Sequence, residues 1–341
     1  MSGARLDLVA PWLLDAVLAQ CAEGTPQALA LAAILARADF AAVNDFDADA
    51  CLLTLLGGGR LAADPQALAG ILARADFDLT ATPHDRLCAE PVHLRADATR
   101  VVLFDAATVG LDGDEADALI AHLNAGLADC EPLFTRGHSP QRWYLTRPGL
   151  AQLGLASPRR LRGCQVEDSL AALRRLGPLN RLLTEAQMLL YDAPVNQARA
   201  AAARAPINSV WLWGAGPPPA LAASALALVA GDDDVALACA RHAGVACSRD
   251  LDALAPVLAA GGSAIAVLAS GADGGFDLER CARAVLAPAC AALARGRLQA
   301  CTVHTRHGRL ELTPRSRWRR WRRPQPWLAR LRLELAPPAD S

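Results

Sequence analysis

The sequence contains no lysine: all 34 basic residues of the 341-residue chain are arginine. A phosphate-binding loop of the Walker type, a lysine Schiff base and a pyridoxal phosphate anchor all require lysine, so each is excluded. Arginine still binds phosphate and carboxylate well, because its planar guanidinium donates two parallel hydrogen bonds. The chain therefore has no lysine-dependent phosphate site, but its arginines can still bind small anions.

Long apolar runs and closely spaced cysteines are also missing. No segment approaches the roughly 18 unbroken apolar residues that a membrane-spanning helix needs, and residues 1–8 show no pattern of an export signal. The 10 cysteines include no C-x-x-C pair, so neither a zinc module nor a disulfide framework is indicated. We therefore expect a cytoplasmic protein with reduced cysteines and no membrane partner.

The charges are segregated, although the formal net charge is only −1. Residues 1–130 contain 19 acidic residues and 7 arginines, whereas residues 293–333 contain 12 arginines and one acidic residue, Glu311. These opposite charges predict contact between the acidic N-terminal half and the basic tail, either by self-association or with a protein partner. An anionic partner for the tail is the alternative.

Apolar periodicity and turn signals predict alternating strands and helices. The first 80 residues are predicted to be mostly helical. The elements predicted after them are a hairpin at 90–104, a helix at 112–127 with Asp112 as its N-cap, a strand at 142–146, helices at 180–191 and 234–243, a strand at 264–269, a helix at 278–295 and a hairpin at 301–313. This order predicts an α/β sandwich with a largely parallel sheet.

The most informative segment spans residues 206–219. An apolar run with two tryptophans leads into Gly214 and Gly216 and then into prolines, which is typical of a short strand that ends in a tight, backbone-exposed turn. Asn196 and Arg199 precede this strand and are predicted to face the same cleft. The alternative is a core strand with a Gly/Pro exit loop and no ligand.

Three motifs follow one another between residues 90 and 219. The first is Glu90-Pro-Val-His-Leu-Arg95, the second is the predicted helix at 113–124, and the third joins Asn196 and Arg199 to the segment 206–219. In this order they resemble the archaeal-type, cofactor-independent phosphoglycerate mutases, which belong to the alkaline phosphatase superfamily.

A second resemblance is closer and covers nearly the whole chain. Bacterial RpfE-type regulatory proteins, often described as phosphoglycerate mutases by similarity, share a basic, tryptophan-rich C-terminus and the segments 91–97, 142–145, 187–190 and 208–214. Together the resemblances imply an alkaline-phosphatase-like α/β sandwich with a largely parallel sheet and an inserted mutase-type α+β module. They divide the chain into a core at 1–87 and 220–314, a substrate module at 88–219, and a basic helix and tail at 315–341.

The nucleophile of the mutase family is missing at the expected place. That family uses a Ser or Thr nucleophile between two metal ions, which Asp and His side chains hold. Its nucleophile motif resembles residues 47–57, where Ala48 occupies the nucleophile position and only Asp49 is retained. Because alanine has no hydroxyl group, the resemblance implies a chain without the family's catalytic residue.

The metal-binding positions depart from the family pattern as well. One metal-binding segment resembles residues 267–276, which keep Asp273 but no histidine, and an Asp-His ligand pair falls on Arg306 and His307. A guanidinium would repel a metal ion rather than bind it. His304 and His307 are three residues apart on a hairpin and are predicted to face opposite sides, so we expect no metal and no cofactor.

The mutase resemblance also implies which residues would bind a small anion. Arginines would donate paired hydrogen bonds to a phosphate or carboxylate, amides would orient hydroxyl groups, and glycines would let backbone N–H groups approach. The candidates are His93, Arg95, Asn196, Arg199, Asn208, Trp211, Trp213, Gly214 and Gly216. His93 and Arg95 share one side of a strand, where they could receive an anion. A hairpin side that simply faces solvent explains this arrangement equally well. Asn196 and Asn208 are equally suited to turn and strand capping.

Three functions are compatible with the sequence. The first is a non-catalytic regulatory protein, or pseudoenzyme, that binds a small phosphorylated or carboxylated metabolite. The second is an active metal-dependent phosphoglycerate mutase or phosphatase with rearranged ligands, and the third is a regulator that binds nucleic acid through the tail. Trp318 and Trp321 lie at i and i+3 of a predicted basic helix at 315–323, which favours docking of these tryptophans on the body over nucleic-acid binding.

Overall fold

The computed structural model describes residues 3–59, 64–77, 86–97, 100–127, 133–146, 154–175, 177–214, 216, 218–221, 225–268, 275–319 and 321–334. The chain divides into two units, the first formed by Met1–Gly59 and Leu221–Ser341 and the second by Arg60–Ala220. In this division residues 60–87 belong to the second unit, and the basic tail belongs to the first.

Strands and helices alternate along the chain. In chain order they are β1 (Arg5–Val9), α1 (Leu13–Ala22), α2 (Pro26–Leu35), β2 (Asp39–Ala42), α3 (Ala48–Leu53), α4 (Pro65–Phe77), β3 (Arg86–Ala96), β4 (Val101–Asp105), α5 (Gly113–Gly126), β5 (Leu133–Arg136), β6 (Trp143–Thr146), α6 (Glu167–Arg174), α7 (Gly177–Asp192), α8 (Pro194–Ala201), β7 (Ser209–Trp213), β8 (Leu226–Gly231), α9 (Asp234–His242), β9 (Cys247–Ser248), α10 (Leu254–Ala259), β10 (Ser263–Val267), α11 (Leu278–Arg280), α12 (Ala287–Ala294), β11 (Ala300–Thr305), β12 (Gly308–Leu312) and α13 (Pro324–Glu334). A π-helical turn, Cys281–Leu286, joins α11 to α12.

The first unit contains a largely parallel sheet. Its described strands have the order β2-β12-β11-β1-β10-β8-β9. Strands β11, β1, β10, β8 and β9 pair in parallel, and β12 pairs antiparallel with both β11 and β2. In the central strand β1, Leu6 and Leu8 are fully buried, and Asp7 between them is half-buried. This alternation follows from the two-residue period of a strand.

Helices cover this sheet with apolar side chains. Leucines and alanines of α1, α2, α10, α11 and α12 pack with the strands into one core. Leu328 and Leu331 of α13 are buried in the same core, so the C-terminal helix is part of the first unit. In the described part of the chain, no helix combines the length and the apolar composition that crossing a membrane requires.

The second unit contains an antiparallel sheet built around the long strand β3. The strand order is β4-β3-β6-β5, and β7 also pairs with β3. Helix α7 packs against β7, and α5 packs against β5 and α7. Trp143 of β6 and both tryptophans of β7, Trp211 and Trp213, are buried here. The fold is therefore mixed α/β, with a largely parallel sheet and a separate antiparallel sheet.

Several elements expected from the sequence are present. Strands β3 and β4 form one predicted hairpin, whose residues 98–99 lie outside the described residues, and β11 and β12 form the other. Asp112 is the N-cap of α5: its side chain accepts a hydrogen bond from the N–H of Glu115 at 2.9 Å, and the Glu115 carboxylate accepts one from the N–H of Asp112. This reciprocal pair is a capping box, which starts a helix independently of tertiary contacts.

The first 80 residues are mostly helical in their described part, as expected, and they also contain the strands β1 and β2. Two expectations about local structure are wrong. The described residues of 315–323 form a short 3₁₀ turn, and the helix begins at Pro324 instead, because proline suits the first turn of a helix but cannot continue one. Trp318 and Trp321 are 64% and 73% exposed, so they do not dock on the body.

Candidate functional site

The position that resembles a mutase nucleophile lies at the start of α3. Ala48 is the first residue of this helix, and Asp47 is its N-cap, with Oδ1 accepting a hydrogen bond from the N–H of Asp49 at 2.9 Å. Cys51 follows one turn later, where burial first, and then the negative charges of Asp7 and Asp47, raise the pKa of its thiol to about 12. Neither a methyl group nor a protonated thiol is an effective nucleophile.

Two histidines of the β11–β12 hairpin each bond to a different carboxylate. Nε2 of His304 lies 2.8 Å from Oδ1 of Asp7 on the neighbouring strand, and Nε2 of His307 lies 3.0 Å from Oδ1 of Asp15 in α1. Arg306 donates to both oxygens of Asp15, at 2.6 and 3.0 Å. Burial alone would raise the pKa of Asp15, but the hydrogen bonds from Arg306 and His307 outweigh burial and lower it. The arginine at the expected ligand position is thus held in an ion pair.

These pairs do not combine into a larger ligand set. In the part of the chain that the structure describes, no three His, Cys, Asp or Glu side chains are grouped so that they could hold a metal ion. Asp273, the carboxylate retained in the expected metal-binding segment, lies outside the described residues. The expectation that the chain binds no metal stays a prediction.

Asn196 lies in the first turns of α8 and connects two segments of the second unit. The helix begins at Pro194, and the Asn196 side chain is 5% exposed. Its Nδ2 donates to the carbonyls of Leu190 and Ile207, both at 2.7 Å, and its Oδ1 accepts from the N–H of Ile207 at 2.8 Å. The amide therefore fastens the end of α7 to the chain that enters β7.

Arg199 lies one turn further along α8 and is 1% exposed. Its Nε donates to the carbonyl of Ala205 at 2.9 Å, Nη1 to the carboxylate of Glu115 at 2.5 Å, and Nη2 to the carbonyl of Val109 at 2.6 Å. Burial lowers the pKa of this guanidinium, and the charge of Glu115 opposes that effect. All three guanidinium nitrogens are engaged, so an anion would have to displace Glu115 to bind Arg199.

Asn208 and His93 connect the residues just before β7 with strand β3. Asn208 Oδ1 accepts from the N–H of Leu94 at 2.8 Å, and its Nδ2 donates to the carbonyl of the same residue at 2.9 Å, so the amide acts like one more residue of a paired strand. Nδ1 of His93 lies 2.8 Å from the carbonyl of Pro206. Since a carbonyl only accepts, Nδ1 carries the proton and Nε2 is left for another partner.

The two tryptophans of β7 are core residues whose polar tips are satisfied. Trp211 and Trp213 are each 1% exposed. The indole N–H of Trp211 donates to the carbonyl of Ala156 at 3.0 Å, and that of Trp213 donates to the carboxylate of Glu90 at 3.2 Å. Buried indoles ordinarily find such partners, and these contacts account for both tryptophans without a ligand.

Gly214 and Gly216, which the sequence places in a tight, backbone-exposed turn after β7, are both buried. Gly214 has φ +47° and Gly216 has φ +154°, backbone conformations that favour glycine. The carbonyl of Gly214 accepts from the N–H of Cys88 at 3.2 Å and so extends the pairing of β7 with β3. Ala215 and Pro217 lie outside the described residues.

His93, Arg95 and Phe104 share one face of the β3–β4 hairpin. His93 lies directly opposite Phe104 in the ladder, with 6.2 Å between their ring centres. The guanidinium carbon of Arg95 lies 4.9 Å from the centre of the Phe104 ring. Arg95 is exposed, and its guanidinium has no hydrogen-bond or ion-pair partner among the described residues. Of the two candidate arginines, Arg95 is therefore the one whose charge is available to a ligand.

Solved structures that are similar to this chain include two cases from archaea. One is the cofactor-independent phosphoglycerate mutase from Thermoplasma acidophilum DSM 1728, with 17% identity and a TM-score of 0.42 over 92% of this chain and 90% of that chain. The other is the PH0037 protein from Pyrococcus horikoshii, with 11% identity and a TM-score of 0.48 over 92% of this chain and 88% of that chain. No protein-family model and no curated protein matches the chain. Likenesses this distant carry no argument about activity.

The sequence does not reveal a buried carboxylate of the second unit that binds several side chains. Asp76, next to the end of α4, accepts from Nε and Nη2 of Arg142 at 2.8 and 2.6 Å and from the hydroxyl of Tyr144 at 2.6 Å. Nδ1 of His138 lies 3.1 Å from the same carboxylate. The polar side chains of Arg142 and Tyr144 thus converge on Asp76, which no motif of the sequence identifies. Whether the nine predicted candidates bind a ligand stays a prediction.

Proposed function

We propose that this chain is a non-catalytic regulatory protein related to the cofactor-independent phosphoglycerate mutases. In this proposal an alkaline-phosphatase-like core carries an inserted mutase-type module that binds a small phosphorylated or carboxylated metabolite. The absence of catalysis is supported by the methyl group of Ala48 at the nucleophile position. It is also supported by Arg306, which occupies a ligand position and is held by Asp15 in an ion pair.

The exposed guanidinium of Arg95 carries the binding part of the proposal. Phe104 supports the Arg95 guanidinium from below, and His93 lies beside the same ring with Nε2 unused by its bond to Pro206. A guanidinium in this position can donate two parallel hydrogen bonds to a phosphate or carboxylate. The proposed ligand class, a phosphorylated or carboxylated metabolite, therefore follows from the charge and planarity of the Arg95 guanidinium.

Replacement of Arg95 by glutamine is expected to weaken binding of 3-phosphoglycerate about tenfold or more, because a hydrogen bond to a charged group contributes about 1.5–3 kcal/mol. Isothermal titration calorimetry is the appropriate measurement, since the tryptophans of the second unit are buried and would report poorly. Arg100→Gln is the matched control, because Arg100 is exposed on the same hairpin. Equal affinities for both variants, or no heat with the wild type, would count against the proposal.

We expect no mutase or phosphatase turnover from the purified protein when manganese or zinc is added. The reason is that the hydroxyl required for phosphoryl transfer is missing at Ala48 and that Asp7 and His304 bond to each other. A coupled assay for conversion of 3-phosphoglycerate to 2-phosphoglycerate measures this directly. Turnover that scales with protein concentration and disappears in the Asp7→Asn variant would establish the alternative, an active metal-dependent mutase with rearranged ligands.

A further inference from the structure

Two tryptophans between β12 and α13 are exposed. Trp318 and Trp321 show 64% and 73% of their surfaces to solvent, whereas every other tryptophan of the chain is buried or half-buried. Exposed indoles are unusual, because burying an aromatic side chain is strongly favourable. Two such rings three residues apart, outside any α-helix, form a distinct feature of the surface.

Arginines flank these rings along the chain. The guanidinium carbon of Arg317 lies 4.7 Å from the centre of the Trp318 ring, and its Nη1 donates to the carbonyl of Ala294 at 3.1 Å. Arg315 and Arg323 are exposed, and their guanidinium groups have no hydrogen-bond or ion-pair partner among the described residues. The surface therefore combines uncompensated positive charge with accessible aromatic faces.

Other arginines hold this segment against the edge strand β2. Nη1 of Arg319 lies 2.6 Å from Oδ1 of Asp39 and donates to the carbonyl of Arg37 at 3.2 Å. Nη1 of Arg322 donates to the carbonyl of Ala38 at 2.8 Å. The hydrogen bond from Arg319 is the main reason that the pKa of Asp39 is lowered. Because the backbone is fastened on this side, the two indoles are presented to solvent rather than folded back.

We infer that the Arg–Trp surface, formed by Arg315, Arg317, Trp318, Trp321 and Arg323, binds single-stranded nucleic acid. Unpaired bases stack on exposed aromatic rings regardless of their sequence, and guanidinium groups beside the rings neutralise the phosphates. A duplex keeps its bases stacked on one another and so gains little from the indoles.

Two other anionic partners fit this surface less well. A segment that lies on a membrane presents its apolar side chains along one face of an amphipathic helix, whereas the described residues of 315–323 form only a short 3₁₀ turn. An acidic protein segment would require the arginines but would leave the exposed indoles without a role. The combination of exposed rings with arginines that have no acidic partner among the described residues is the feature that selects single-stranded nucleic acid.

The full-length chain is expected to bind a fluorescein-labelled oligothymidylate of about 20 nucleotides. Anisotropy should show binding that weakens about twentyfold when salt rises from about 50 to about 200 mM, as expected for roughly three neutralised phosphates. Combining Trp318→Ala with Trp321→Ala should weaken binding about tenfold or more. Combining Arg317→Gln with Arg323→Gln should reduce the salt dependence.

The control is the double variant Met188→Ala with Tyr191→Ala, since these side chains of α7 are also exposed, at 67% and 83%. It should bind the oligonucleotide like the wild type. The inference is overturned if the tryptophan variant binds unchanged, if a blunt duplex of the same length binds as tightly, or if the wild type does not bind the oligonucleotide. Binding of phosphatidylserine vesicles without binding of the oligonucleotide would identify a membrane surface as the partner instead.

Discussion

Replacing Arg199 by alanine is expected to lower the free energy of unfolding by about 3 kcal/mol or more. The guanidinium donates to Glu115 and to the carbonyls of Val109 and Ala205, and the variant leaves both carbonyls without this donor. Lysine should restore only a minor part of the loss, because an ammonium group lacks the planar fork that reaches all three acceptors. Urea unfolding followed by circular dichroism measures both variants.

Arg204→Ala is the matched control for this prediction. Arg204 donates to the same Glu115 carboxylate, but its side chain is 42% exposed, and exposed ion pairs contribute about 1 kcal/mol or less. A different outcome would assign Arg199 to ligand binding. In that case Arg199→Ala would unfold at the same urea concentration as the wild type and would lose its affinity for 3-phosphoglycerate.

Arg199 also explains why the sequence predicts the candidate site only in part. An arginine that binds a phosphate and one that binds an internal carboxylate belong to the same residue type, and the partner decides between them. Glu115 lies 84 residues earlier in the chain, so no local pattern links the two. For Asn196 and Asn208 the sequence leaves capping open as an alternative, and the observed hydrogen bonds are of that kind.

The same distinction applies to the fold: elements specified by nearby residues are predictable from the sequence, and elements specified by distant residues are not. Helix α5 is predictable because Asp112 and Glu115 form a capping box within four residues, and β11 and β12 are adjacent in sequence. Strand β1 has five residues in an alanine- and leucine-rich region, where helical periodicity dominates. Its pairing with β11 brings together Asp7 and His304, which are 297 residues apart. Only the assembled sheet therefore distinguishes this strand from the start of a helix.

Replacing Asp76 by asparagine is expected to destabilise the protein by about 3–5 kcal/mol at neutral pH, because it removes the negative charge that the buried Arg142 fork contacts at 2.6 and 2.8 Å. The wild-type carboxylate accepts both branches of the Arg142 fork and the Tyr144 hydroxyl. Asp117→Asn is the matched control: Asp117 accepts the same kind of fork from Arg136, but its side chain is 56% exposed. We expect the control to lose about 1 kcal/mol or less in urea unfolding.

The destabilisation caused by Asp76→Asn should also depend on pH. Burial raises the pKa of Asp76, but the hydrogen bonds and charge of Arg142 and the bond from Tyr144 outweigh burial and hold that pKa below its ordinary value. A lowered pKa means that the unfolded chain takes up a proton before the folded protein does. The stability difference between wild type and variant should therefore be constant from neutral pH down to about pH 5 and should shrink as pH falls below about 4. Urea unfolding at a series of pH values measures it, and a difference that stays constant through the acid range would show that charge compensation is not what Asp76 contributes.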